Sequence, residues 1–314
     1  MHGIDTLRGR DLLSITDLSP RDLEEILRTA VALKQGRLHG TLAGKEMALI
    51  FEKPSLRTRV SFTVAMHRLG GHVQHLSDAE VGLGRREPAA DVARVLDRMV
   101  DVIVARVFSH ETLEELAAHA TVPVINALSD AEHPCQALAD LMTIYEHLGG
   151  LRGACLAYIG DGNNVACSLM LAAALAGMEF RIASPPGYEI PPAVQQRARA
   201  LAEFTGARLI SGDRPEEACA GADVLYTDVW VSMGQEREAA VRREAFASYQ
   251  LNQDLLLRAE PRALVMHDLP AHRGEEISEE VFESGQSVIF DQAENRLHAQ
   301  QALLALTLGA LEGL

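Results

Sequence analysis

Lysine is scarce in this chain: among 314 residues it occurs only at Lys34, Lys45 and Lys53, so arginine carries nearly all the positive charge. Positive charge as a whole is in deficit. The net charge of −15 at neutral pH argues against a general binder of nucleic acid or anionic membrane, since either needs a basic face. It leaves room for a local basic pocket. Cysteine is also rare, with four residues, Cys135, Cys155, Cys167 and Cys219. No two stand in C-x-x-C spacing and no nearby histidine completes a zinc pattern, so buried free thiols are expected. No metal site is expected. The longest apolar run, "LMLAAALAGM", falls well short of the ~20 residues a membrane-spanning helix needs. The N-terminal "MHGIDTLRGRDLL" lacks the apolar core of a signal peptide, which makes the cytoplasm the default location. Repeats, charge blocks and low-complexity segments are missing too.

What is present is alternation. Hydrophobic residues make up 47% of the chain, enough to bury a sizeable core, and the length suits two domains. Ser19-Pro20 opens a helix well, and Leu23, Ile26, Leu27, Ala30 and Leu33 follow as one apolar stripe. Strand candidates come at "MALIFE", "DVIVARV" and "VPVINA". A second series reads "CLAYIG", "FRIAS", "ARLIS", "DVLYTDV", "ALVMHD" and "SVIFD". Several are apolar throughout, as parallel strands covered on both faces are. The pattern predicts an α/β fold of two doubly wound domains with mainly parallel sheets, joined by interdomain helices. Boundaries are expected at residues 1–148, 149–292 and 293–314. The first junction lies in the "EHLGGLRG" turn, and the last segment is a long amphipathic helix.

Five motifs stand out. "FEKPSLRTR" ends a strand in Lys53, Ser55, Arg57, Thr58 and Arg59 and then opens a helix. Unpaired N–H groups and the helix dipole favour an anion there, and Arg57 can add a bidentate contact. A capped helix with a solvated basic turn explains that stretch equally well. "HPCQALAD" puts His133 at a helix start with Gln136 nearby. The dipole favours its neutral form, which can donate to a carbonyl oxygen, although a lone histidine there is more often structural. "ARVFSH" places Arg106 at the C-terminal end of a strand, where open α/β sheets bind ligands. "GDGNN" has Gly160 and Gly162 but Ala166 in the third position of a dinucleotide fingerprint, a weak signal. "DVWVSMGQE" ends a strand at Asp228 and continues into a polar loop, which suits an ammonium group or an ordinary surface loop.

Taken together, "FEKPSLRTR", "ARVFSH", "HPCQALAD", "GDGNN", "DVWVSMGQE", "LPAHRGEE" and "AENRLHAQ" resemble, in order and spacing, the ornithine carbamoyltransferases. The resemblance runs from about Leu12 to the end of the chain. It implies transfer of a carbamoyl group from carbamoyl phosphate to the δ-amine of L-ornithine, without metal or organic cofactor, in a homotrimer with sites at subunit interfaces. It also implies that the first domain binds carbamoyl phosphate, that the second binds ornithine, and that the final helix packs back on the first. By the matching motifs, Ser55, Leu56, Arg57, Thr58, Arg106, His133, Gln136, Leu269 and Arg296 hold or polarise carbamoyl phosphate. Asn164, Asp228, Ser232 and Met233 hold the amino-acid end of ornithine.

Two positions depart from the family pattern. The usual "HCLP" reads "HDLP" here, so Asp268 replaces a cysteine beside the reacting amine. A carboxylate attracts an ammonium but favours its charged, non-nucleophilic form. It can offset that by accepting the amine's proton as a general base, which places Asp268 among the expected catalytic residues with Arg57, Arg106 and His133. The second departure is Glu80 in "DAEVGLG", where many relatives have glutamine. Close to a phosphate it would be protonated, paired with Arg85 or Arg86, or turned away. An enzyme for a different amine, a weakly active binding relative and a nucleotide-dependent dehydrogenase are the competing readings.

Overall fold

The computed structural model describes residues 7–232 and 234–311. The chain divides into two compact units: residues up to Met142 together with those from Asn295 onward, and Thr143–Glu294. Both divisions fall inside helices, Pro134–Leu148 and Ile289–Thr307.

The first unit is built on four parallel strands, β1 (Glu46–Phe51), β2 (His72–Ser77), β3 (Val102–Arg106) and β4 (Val124–Leu128), in the order β2-β1-β3-β4. All five residues of β3 are buried, and so are the four central residues of β1, which is why both read as continuous apolar runs. β2 lies at the sheet edge and is at most half-buried. Its polar sequence, "HVQHLS", hides it from a hydrophobicity reading. Ile50, Ile103, Val107, Leu113 and Leu116 form one core cluster, each contributing about 1.5–3 kcal/mol by burial. Helix Pro20–Lys34 starts as expected. The Ser19 hydroxyl accepts from the Asp22 amide, Asp22 returns a contact to the Ser19 amide, and Leu23, Ile26, Leu27 and Ala30 are buried.

The second unit has five parallel strands, β5 (Cys155–Ile159), β6 (Glu179–Ala183), β7 (Arg208–Gly212), β8 (Val224–Thr227) and β9 (Leu264–His267), in the order β7-β6-β5-β8-β9. Its core includes Ile159, Leu225, Trp230, Phe246 and Val265. The "SVIFD" segment is not a strand. Ser287 makes only a bridge to Val265, and Ile289 begins the final helix. Val288 and Ile289 are buried while Phe290 is exposed. A three-residue apolar run suits either structure until its neighbours decide.

Each sheet changes direction once. In the first, the chain lays β1 and β2 to one side and then β3 and β4 to the other, so the reversal lies between β1 and β3. In the second it lies between β5 and β8. Ligands of open α/β sheets bind beyond the strand C-termini at such a reversal. The segments leaving those four strands are "EKPSLRT", Arg106 onward, "GDGNN" and "DVWVS". All four cysteines are free and buried. Among the described residues, no helix is long and apolar enough to cross a membrane.

Candidate active site

In the first unit, Ser55 caps helix Leu56–Arg68. Its hydroxyl accepts from the Thr58 amide at 3.3 Å and donates to Thr58 Oγ1 at 3.1 Å. Two guanidiniums converge on that same Oγ1, Arg296 Nη2 at 2.9 Å and Arg106 Nη1 at 3.5 Å. Arg296 Nη1 also bonds Gln136 Oε1 and lies 3.5 Å from His133 Nε2. Gln136 is held in turn by Asp140, to which it donates at 2.8 Å. Thr58, Arg106, His133, Gln136 and Arg296 are all buried. Two buried cations around one hydroxyl, at a helix N-terminus, concentrate positive potential in a low-dielectric setting and favour an anion.

Electrostatics fix His133 as neutral. Burial, then the charges of Arg296, Arg106 and Arg57, hold its pKa well below the ordinary histidine value. Its backbone carbonyl accepts from the Gln136 and Ala137 amides, which places it at the start of helix Pro134–Leu148. A neutral imidazole there can donate to a carbonyl oxygen. Lys53 lies over the Phe108 ring at 4.5 Å, and burial together with Arg106 lowers its pKa. Arg57 is half-buried, whereas Leu56 and Arg59 are exposed.

The second unit builds a different site. Asn163 caps helix Asn164–Ala176 and accepts from the Val165 and Ala166 amides, while its Nδ2 donates to Asp228 Oδ2 at 2.7 Å. The Val229 amide donates to Asp228 Oδ1. Asp228 also contacts the Asp268 carboxyl, and a hydrogen bond between two carboxyls requires one of them to be protonated. Burial first, then Asp268, hold Asp228 well above the usual carboxylate range, against His267 and Asn163. His267 Nδ1 lies 3.5 Å from Asp268 Oδ1, and Nε2 bonds Glu276 Oε1 at 3.0 Å. Burial opposes protonation of this ring, but Asp268 and Glu276 outweigh it and raise the pKa to about 9. Asp228, His267 and Asp268 each place a polar atom within 4.8 Å of the others, a spacing that suits an ammonium group.

The expected residues therefore fall into two sets. Ser55, Leu56, Arg57, Thr58, Arg106, His133, Gln136 and Arg296 lie in the first unit, and six of them share one hydrogen-bonded cluster around Thr58. Asn164, Asp228, Ser232, Asp268 and Leu269 lie in the second. Leu269 has a left-handed backbone with φ +62°, a conformation uncommon for leucine and frequent at ligand sites. Ser232 is half-buried, and its amide donates to Gln235 Oε1 at 3.1 Å. Met233 lies outside the described residues.

Sequence reasoning missed Asn163 as the partner of Asp228, and it missed His267, held by Glu276, as the neighbour of Asp268. The helix-start signal around Asn163 was visible in "GNN", but its cross-strand target was not. Glu80 is ionised and serves its own helix. Its carboxylate accepts from the Ser77 amide at 2.8 Å and hydroxyl at 2.6 Å, which lowers its pKa, while Arg85 pairs with Asp78 instead. Gly162 has a packing reason: a Cβ there would lie 2.3 Å from Ile190 N. The "GDG" turn therefore needs no nucleotide to explain it.

Comparison with known proteins also finds two domains, although Arg296, which lies in the first unit, falls within the second of them. Residues 10–146 match the family model "Aspartate/ornithine carbamoyltransferase, carbamoyl-P binding domain", and residues 152–307 match its "Asp/Orn binding domain". The chain is 55% identical to the ornithine carbamoyltransferase of Acidothermus cellulolyticus, covering 97% of this chain and 98% of that one. It is 54% identical to that of Anoxybacillus flavithermus over 95% of this chain and 96% of the relative. The solved ornithine carbamoyltransferase of Pyrococcus furiosus superposes with a TM-score of 0.93 at 51% identity, covering 98% of this chain and 99% of that one. The relative from that organism is named as anabolic.

Proposed function

The chain belongs to the aspartate/ornithine carbamoyltransferase family, and from that premise we propose that it transfers the carbamoyl group of carbamoyl phosphate to the δ-amine of L-ornithine, yielding L-citrulline and phosphate. The observation that carries this reading is the convergence of Arg106, Arg296, His133 and Gln136 around Thr58 at the N-terminus of helix Leu56–Arg68. Carbamoyl transfer needs a polarised carbonyl, a stabilised leaving phosphate and an uncharged amine. Arg57, Ser55, Thr58 and the Leu56 backbone take the phosphate. Arg106, neutral His133 and Gln136 face the carbamoyl oxygen and nitrogen, and Arg296 adds a second guanidinium. The amine lone pair attacks the carbamoyl carbon, the developing oxyanion is held by Thr58, Arg106 and His133, and the C–O pair leaves with phosphate.

Asn164, Asp228, Ser232 and Met233 take the amino-acid end of ornithine, and Asp268 accepts the proton lost from the amine. His267, held by Glu276 at 3.0 Å, lies beside Asp268 at 3.5 Å. The biosynthetic direction is supported by the anabolic name of the Pyrococcus furiosus relative. A cytoplasmic location and a homotrimer, or a multiple of one, complete the proposal. The exposed apolar side chains of Leu56, Val60, Val95 and Met99 on the first unit support it as surface that association would cover.

The test is citrulline formation from carbamoyl phosphate and L-ornithine from about pH 6 to 10, with putrescine, N-acetylornithine and aspartate alongside. Turnover with ornithine alone is expected. His133→Gln lowers kcat roughly 10²–10³-fold, and Asp268→Cys shifts the pH profile. Two adjoining carboxyls also favour a second reading, an enzyme for a more cationic amine, and preferred turnover of putrescine would establish that instead. Silence with every amine would leave a binding relative.

A further inference from the structure

Among residues not expected to touch substrate, Arg242 stands out as a buried cation. It lies on helix Ala239–Phe246 and is 4% exposed. Its Nε donates to the Trp230 carbonyl at 2.6 Å, and its Nη2 bonds Asp161 Oδ2. From its own helix start, Glu238 lies 3.7 Å from Nη1. The guanidinium carbon lies over the rings of Tyr188 and Phe246, 4.8 and 5.5 Å from their centroids, and Phe246 stacks on Trp230 at 6.1 Å. Burial outweighs the guanidinium and pushes Asp161 up to about 6, so it stays ionised at neutral pH.

The positions of the two acceptors give this contact its meaning. Trp230 sits midway between Asp228 and Ser232 in the segment leaving β8. Asp161 sits in the turn leaving β5, two residues before Asn163, which donates to Asp228. One side chain therefore joins the two segments at the reversal of the second sheet. Stability alone is a poor reason for it, because a buried ion pair usually does no better than well-packed apolar side chains. The planar fork, in contrast, is suited to fixing two acceptors in one geometry.

We propose that Arg242 is a positioning residue for the ornithine site: it locks the Asp228–Ser232 segment against the Asp161–Asn164 turn and so sets ornithine affinity. This rests on the functional reading above. Lysine at this position keeps the charge but cannot present the two-pronged fork.

The experiment compares Arg242→Lys and Asp161→Asn with the wild type in steady-state citrulline formation. L-norvaline, an amino acid of ornithine's chain length without the δ-amine, serves as competitive inhibitor. Arg242→Lys should raise the ornithine KM and the norvaline Ki together, roughly 10- to 100-fold, with the carbamoyl-phosphate KM changed less than about twofold. Asp161→Asn, which keeps an acceptor oxygen, should show the same split at smaller size and carries the test should the lysine variant fail to fold. An unchanged ornithine KM in a folded variant overturns the proposal. So does a parallel rise in both substrate KM values with a lowered Tm, the mark of a general structural role. Absence of ornithine turnover by the wild type overturns the functional reading and the proposal with it, whereas wild-type turnover with unshifted variants overturns the proposal alone.

Discussion

Asp228 is a buried carboxyl against a second carboxyl, that of Asp268, and both burial and that neighbour favour its protonated form. An ammonium placed beside the pair reverses the balance, because an opposite charge stabilises the carboxylate. Binding of the amino-acid substrate should therefore favour release of a proton from the pair. L-norvaline isolates the effect, since it has no δ-amine of its own to deprotonate. Titration calorimetry in buffers of different ionisation enthalpy should show that release, and Asp228→Asn should abolish it. Heats independent of buffer would rule it out. His133 behaves differently. Burial and three arginines keep it neutral, so it does not titrate in the assay range, and a pH profile altered by Asp268→Cys can be assigned away from it. At this scale the cationic side was legible: strand ends carrying Arg57 and Arg106 are visible in any reading of "SLRTR" and "ARVFSH". The partner of His267 was not, because Glu276 reaches it only when the segment after β9 folds back on itself.

At the scale of elements, the turn after β5 depends on one glycine. A Cβ at Gly162 would lie 2.3 Å from Ile190 N and 2.4 Å from the Glu189 carbonyl carbon. Both are backbone atoms, which cannot swing away as a side chain can. Gly162→Ala should cost about 1–3 kcal/mol, read as a lower Tm, and should raise the ornithine KM by displacing Asn163 from Asp228. Gly150→Ala is the control, since nothing lies within 4 Å of the Cβ it would add. A Gly162→Ala variant as stable as the control would remove the packing argument. Strands buried on both faces, such as β3 and β5, announce themselves in sequence because their residues are apolar, Arg106 at the end of β3 excepted. The edge strand β2 does not, since exposure lets His72, Gln74 and Ser77 stand where a central strand would need apolar side chains. "SVIFD" misleads for the opposite reason, being apolar but too short to show a period.

For the whole molecule, the family reading predicts association. Leu56, Val60 and Met99 are 76%, 51% and 69% exposed, apolar surface that association would cover. Sedimentation equilibrium should give three times the 34.1 kDa protomer mass, or a multiple of it. A stable monomer with full activity would contradict the trimer. By itself, the sequence determined the class of fold, because the alternation of strands and helices is local order, and it showed cations where a strand runs into a helix, which a solvated basic turn explained equally well. Only the tertiary structure decided which side chains meet. Arg296 reaches Thr58 across 238 residues, and Asn163 reaches Asp228 across 65. Such pairs depend on where each sheet reverses, and that is a property of strand order in space which no local stretch of sequence encodes.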